Sequence, residues 1–338
     1  GNIIRRPLHK FFNYGEKPIE DERLDFRGAR ILEKLDGSMI SPFIVARDGK
    51  NALKGGTIRL GTKMGLTDVA LQAEEFIKDK PNYHEFIGLS LMFGFTPIFE
   101  WTSRKQRIVI DYAEDNLVLL AMRDMISGDY MHYSTLLSHA EEYNVPVVKS
   151  FDLNLKNMNE LQEHTKGLQN QEGFVVVFSN DQRVKLKADE YLRIHRAKDQ
   201  ISSEKNVLNL IFNENIDDIV PHLLKEDQEK ILKFESDVLK SVENSAVMLT
   251  DTIKMFKKMY STRKDYGLNV SNSDRYDTMW SSVRNTIAFK VYDRDFDSHD
   301  VRMELIDYIK KNISSSTKID GIRHILGFNR WNYNEVVE

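Results

Sequence analysis

A lysine displaces a leaving group from phosphorus only as the neutral amine, so a nucleophilic lysine needs surroundings that disfavour its charge. In Lys34-Leu35-Asp36-Gly37-Ser38 such a lysine follows the apolar Ile31 and Leu32, three residues before a glycine that permits close backbone approach. The pattern alone is weak. Average residue usage yields it in roughly one chain of this length in ten, and an Asp-Gly turn beside a solvated lysine explains it as well. Further residues in a fixed order give it weight. Glu100 lies inside the apolar run TPIFEWT, where a buried carboxylate is costly unless paired, hydrogen-bonded or near a metal. Glu172 precedes Gly173 and the apolar stretch FVVVF, and Lys185 and Lys187 in RVKLK alternate onto one strand face. Each has an ordinary explanation, a strand-end salt bridge or lysines that discourage edge aggregation. Together they supply what nucleotidyl transfer requires: one amine, two acids and further cations for phosphate.

These residues sit on short β-branched or aromatic runs punctuated by Gly, Asn and Asp: SMISPFIVA, TIRLGTK, TPIFEWT, RIVIDY, NLVLLAMR, GFVVVFS and RVKLK. All seven read as strands. DVALQAEEFIKD and STLLSHAEEYN between them have the apolar spacing of amphipathic helices, the second with Ser134 as its cap. After His195 the spacing turns helical throughout, and Ile231, Phe234, Val238 and Val242 form one buried stripe. The expectation is α+β, with a mixed domain over residues 1–198 and an all-helical domain over 199–338.

Composition narrows the chemistry. A chain of 338 residues with 41% hydrophobic and 30% charged residues has ample core and a solvated surface. With no cysteine, disulfides, thiol catalysis and zinc ribbons are excluded. No run of eighteen apolar residues and no secretory leader pattern is present, so a cytoplasmic protein without a membrane is expected; a monomer is the expected state, although the sequence carries no signal for it. A net charge of −4 argues for a local basic groove rather than a basic surface.

The ordered motifs KLDGS, FEW, NLVLLAMRD, EGFVVVF and VKLK resemble motifs I, III, IIIa, IV and V of the covalent nucleotidyltransferases, the superfamily of polynucleotide ligases and capping enzymes. RRPLHKFFNYGEKP, FEWTSRKQRIVI and VKLKADEYLRIH are most similar to the bacteriophage RNA ligase 1 family, over roughly residues 4–196. The resemblance implies an N-terminal nucleotidyltransferase domain with ATP-grasp-like antiparallel sheets and flanking helices, followed by a helical domain that selects RNA. It implies an ATP-dependent RNA ligase in which Lys34 takes AMP from ATP, passes it to an RNA 5′-phosphate, and a 3′-hydroxyl displaces it. By the same resemblance, Glu172 holds Mg²⁺ or Mn²⁺, Glu100 accepts a hydrogen bond from the ribose, and Lys185 and Lys187 contact phosphates and help keep Lys34 neutral. Gly37 and Gly173 allow close packing on the nucleotide, and strand parity, rather than the resemblance, puts Val175 against the adenine face. Lys10, Phe12 and Lys63 match residues that the family places around the nucleotide. The family also uses an arginine well upstream of HKFFN, a position preceding Gly1, and Arg5 and Arg6 lie too close to replace it. The implied biological substrate is a tRNA nicked in its anticodon loop, in the host cytoplasm if the protein is viral.

Two alternatives remain at this stage. A DNA ligase or capping enzyme shares the chemistry but usually carries an OB-fold where this chain turns helical. A silent RNA-binding protein would keep the fold without needing all of Lys34, Glu100, Glu172, Lys185 and Lys187. Asp293, Asp295, Asp297 and Glu304 have calcium-loop spacing, but Ser298 stands where the loop glycine belongs, and a helix start capped by Asp297 or Ser298 is the stronger reading.

Overall fold

A computed structural model describes residues 3–16, 25–45, 56–270 and 278–333. The chain divides into two compact units, Gly1–His195 and Arg196–Glu338.

The first unit is α+β. In chain order it runs β1 (Phe12–Asn13), β2 (Arg30–Lys34), β3 (Ser38–Val45), β4 (Thr57–Gly61), α1 (Asp68–Ile77), α2 (Pro81–Met92), β5 (Phe95–Thr102), β6 (Asn116–Asp124), α3 (Tyr133–Glu142), β7 (Ser150–Phe151), α4 (Met158–Lys166), β8 (Gly173–Val177), β9 (Arg183–Lys187) and α5 (Asp189–Ile201), the last extending past His195. Two sheets result, ordered β1-β9-β8-β2-β7 and β4-β3-β5-β6. Every pairing is antiparallel except β1 with β9.

Alternation decides which residues face the site. On β2, β8 and β9, Ile31, Val176 and Val184 are register partners and enter one apolar core with Phe174 and Leu186. Their neighbours emerge on the other face in three rows: Lys34 beside Gly173 and Lys187, Leu32 beside Val175 and Lys185, and Arg30 beside Val177 and Arg183. The second sheet buries Ile40, Phe99, Leu117 and Leu119 against α1, α2 and α3.

Two local expectations change. Residues 108–110 form no strand, because the amides of Val109 and Ile110 donate to Asp36 Oδ2 at 2.8 and 2.9 Å instead of to a neighbouring strand. Helix α3 starts at Tyr133 with His132 as N-cap and no side-chain cap bond, so Ser134 lies within the helix rather than at its cap. α1, by contrast, is capped by Thr67, which accepts from Ala70 N. The structure also holds β1, β7, α2 and α4, which lack the length or periodicity to announce themselves in the sequence.

Among the described residues the second unit is helical: α6 (Glu204–Phe212), α7 (Ile216–Ile219), α8 (Lys225–Met259), α9 (Arg263–Val270), α10 (Thr278–Val291), α11 (Ser298–Asn312) and α12 (Ser316–Leu326). The α8 stripe of Ile231, Phe234, Val238 and Val242 is buried as its spacing requires. Asp297 caps α11 in a reciprocal box with Asp300, and Glu304 faces Lys290 and Arg294, so the acidic spacing here serves a helix start and ion pairs. Among the described residues, no helix is long and apolar enough to cross a membrane.

Candidate active site

Strand β2 ends at Lys34 and the chain turns through Leu35, Asp36 and Gly37 into β3. The turn is fixed from three sides. Asp36, 4% exposed, accepts the two amides of 109 and 110 on Oδ2 and a 2.8 Å bond from Tyr191 Oη on Oδ1, while its own amide donates to Tyr112 Oη at 2.8 Å. Burial pushes both phenols above their usual range, so they stay neutral, Tyr191 as a donor to Asp36 and Tyr112 as an acceptor from it. The solvated Asp-Gly turn is therefore not what forms. Asp36 is a buried clamp that sets the direction in which Lys34 leaves the strand.

Lys34 Nζ lies 2.6 Å from Glu172 Oε1, and Lys187 Nζ reaches the same oxygen at 3.0 Å. Glu172, buried at the start of β8, thus stands between two lysines brought together by the register of three strands. The nearest charged group to the Lys34 amine is an acid, whereas the resemblance implied lysines. The repulsion expected among the lysines falls on Lys185: burial, then Lys34 and Lys187, lower its pKa, against the pull of Glu172 and Glu16. Opposite, on β5, burial together with Glu172 and Asp36 pushes the Glu100 carboxyl up to about 8, although Lys34 and the Gly37 amide draw it down.

A cleft of about 410 Å³ opens beside this cluster, the usual scale of a small-molecule site. Lys34, Glu100, Lys10, Lys63, Val175 and Lys185 all line it, with Leu32, Leu120 and Val148 as apolar walls. Three of the expected residues lie outside the lining of the cleft. Phe11 rather than Phe12 lines the cleft, with Lys185 Nζ 4.8 Å from its ring centroid, while Phe12 sits in β1 under Lys10 Nζ at 5.2 Å. Gly37 is small for the sake of β5: a Cβ there would lie 2.3 Å from the Trp101 carbonyl oxygen. Gly173, at φ +144°, is required by β9, since a Cβ would meet the Leu186 carbonyl oxygen at 2.0 Å. Neither glycine lines the cleft.

Arg5 donates to the carbonyls of Ser41 and Thr62 at 3.2 and 3.1 Å, and Arg6 to that of Ile126 at 2.9 Å. Both hold the N-terminal segment onto the domain. Sequence reasoning missed His9, Glu33 and Arg183, which also line the cleft, and Tyr112 and Tyr191, which hold Asp36. Arg183 was within reach, because it shares its parity with Lys185 and Lys187. The tyrosines gave no signal, since only the tertiary fold brings them to the KLDGS turn.

The sequence of residues 1–191 matches the family model described as RNA ligase. A protein of Thermovibrio ammonificans, provisionally named an RNA ligase, is 31% identical over 74% of this chain and 66% of its own length. The RNA ligase of Rhodothermus phage RM378 is 26% identical over 74% of this chain and 68% of its own. The chain thus spans about two thirds of these relatives. Among solved structures, an archaeal ATP-dependent RNA ligase superposes with a TM-score of 0.41 at 14% identity, covering 52% of this chain and 46% of that one.

Proposed function

The chain belongs to the phage-type RNA ligase family, and from that premise we propose that it is an ATP-dependent RNA ligase working through AMP attached to Lys34. The observation that carries this reading is the convergence of Lys34 and Lys187 on one Glu172 oxygen beside a cleft that Lys34, Lys10, Lys63 and Lys185 line together with the apolar Leu32, Leu120 and Val148. That polarity fits a nucleotide lying with its α-phosphate toward Lys34 and its base between Leu32, Leu120 and Val175. Lys185 and Lys187 face the phosphates. Glu100 accepts from the ribose.

A divalent cation, Mg²⁺ or Mn²⁺, suits the acid side of this site. Burial, and then Glu172 and Asp36, raise the Glu100 carboxyl, and a cation held mainly by Glu172 would offset that crowding of acids. When bound, it neutralises charge on the phosphate oxygens. Lys34 must lose both its proton and its contact with Glu172 before it attacks. Any group that competes for Glu172 therefore favours the attacking amine. The α-phosphorus to Nζ bond then forms as pyrophosphate leaves.

RNA with 5′-phosphate and 3′-hydroxyl ends is the substrate in this reading, a nicked tRNA its biological form, and the helical unit the part that selects it. Intact mass of the purified chain before and after ATP tests the first step. Addition of AMP that is absent in Lys34→Ala supports it, whereas ATP binding without a covalent product supports a silent RNA-binding protein. Sealing of nicked tRNA against nicked DNA then separates RNA ligase from DNA ligase.

A further inference from the structure

We propose that Arg183 reads the nucleotide base, its guanidinium donating a hydrogen bond to an acceptor ring nitrogen of adenine at the end of the cleft remote from Lys34. The inference rests on the cleft being an ATP site and adds a specificity residue to it.

Position comes first. Arg183 occupies the third row of the sheet face, four strand residues along from the row of Lys34 and Lys187. At the rise of an extended strand this is roughly 13 Å, on the order of the reach from an α-phosphate to the far edge of a purine. Between the two rows lie Leu32 and Val175, the flat apolar floor suited to a base. Arg183 itself lines the cleft, and a smaller cavity of about 230 Å³ continues past it, lined in part by Arg30, Tyr130 and Tyr133.

Chemistry comes second. Among the described residues Arg183 makes no ion pair, and its Nε is buried without a hydrogen-bond partner. Its close neighbour is the Tyr130 ring, with Cζ 4.0 Å from the centroid. That ring is held in place, since Tyr130 Oη accepts from the His9 amide at 3.0 Å and contacts His9 Nδ1 at 2.8 Å. Arg123, the other guanidinium over Tyr130, differs in that it donates to the carbonyls of Gly128 and Pro7 at 2.8 and 2.6 Å. No such bond to a carbonyl is made by Arg183 among the described residues. Stacking fixes the guanidinium without using its N–H groups, and a guanidinium offers donors only. Nε is enclosed, whereas the Nη groups carry no hydrogen bond among the described residues and are not enclosed, so they are the donors that a base acceptor in the cleft can meet. Adenine presents N1 and N7. Guanine would offer O6 and N7, so the contact selects purines with a free acceptor rather than adenine over guanine.

Binding of ATP, 1-deaza-ATP and 7-deaza-ATP to the full chain, measured by titration calorimetry, tests the proposal, with Arg183→Met and Arg183→Lys as variants. The wild-type chain is expected to bind one deaza analogue at least about 10-fold more weakly than ATP, which also identifies the nitrogen. Arg183→Met should lose a similar factor for ATP and no longer distinguish ATP from that analogue, with Arg183→Lys between the two. A purely structural arginine would not tie its effect to one ring nitrogen. Equal binding of all three nucleotides by the wild-type chain overturns the proposal without recourse to any variant, and so does Arg183→Met that keeps the wild-type preference. A wild-type chain that binds no ATP removes the site reading itself, and this proposal with it.

Discussion

The two ends of the β2-β8-β9 sheet face carry the same kind of residue and balance it differently. At one end Lys34 and Lys187 share the buried carboxylate of Glu172 at 2.6 and 3.0 Å. At the other, Arg30 and Arg183 rest over Tyr133 and Tyr130 at 4.4 and 4.0 Å, with no acid in ion-pair range among the described residues. A carboxylate competes for the same protons and cations as a phosphate, so the balance at the first end can be exchanged when substrate arrives. A tyrosine face does not compete for N–H donors, so the second end stays ready for a neutral acceptor. Charge is placed to be rearranged at one end and held still at the other.

The sharpest break in this contrast is at Lys34. Lys34→Ala should abolish covalent AMP completely, as read by intact mass after ATP, while ATP still binds through the opposite end. Retained adenylylation would move the nucleophile elsewhere. Glu172→Ala comes next, with sealing expected to fall by about 1,000-fold or more, as for removal of other charge-positioning groups. Its stability should drop by only about 1 kcal/mol, because Lys34 and Lys187 are partly exposed and can turn toward water. A loss of several kcal/mol on denaturant unfolding would make Glu172 a structural acid first.

Asp36 provides the contrast within the same turn. Its carboxylate holds two buried amides and a phenol, all neutral donors with nowhere else to go. Asp36→Ala should therefore cost about 2–4 kcal/mol, mainly through orphaned amides. Unfolding that matches the wild-type chain would show that the 108–110 segment finds other acceptors.

Asp36 also marks the limit of what the sequence disclosed. Lys34, Glu172, Lys185 and Lys187 were legible because strand parity and an ordered motif series fix their face and neighbourhood, and the α8 stripe because helical spacing fixes it. The roles of Gly37 and Gly173 were not, because what a missing Cβ accommodates depends on which strand arrives opposite, here the Trp101 and Leu186 carbonyls. RIVIDY read as a strand for the same reason. Its β-branched residues satisfy the local preference, and only the distant Asp36 takes its amides away.

The smallest effect expected is a pH dependence at Glu100. An unfolded glutamate loses its proton near pH 4.3, whereas burial and nearby acids hold the folded one until about 8. Between those values the folded chain binds a proton that the unfolded chain has released, so this residue's contribution to stability, present below about pH 4.3, is lost as pH rises toward 8. Thermal unfolding from pH 5 to 8.5 should decline more steeply for the wild-type chain than for Glu100→Gln, whose amide does not titrate. Adenylylation rates alone would not isolate the effect, because Lys34 and the other groups of the cleft act in that reaction too. The difference between the two unfolding profiles does, since Lys34 is present in both. Parallel profiles would return Glu100 to the ordinary carboxylate range and weaken the case that the acids at this end of the cleft wait for a cation.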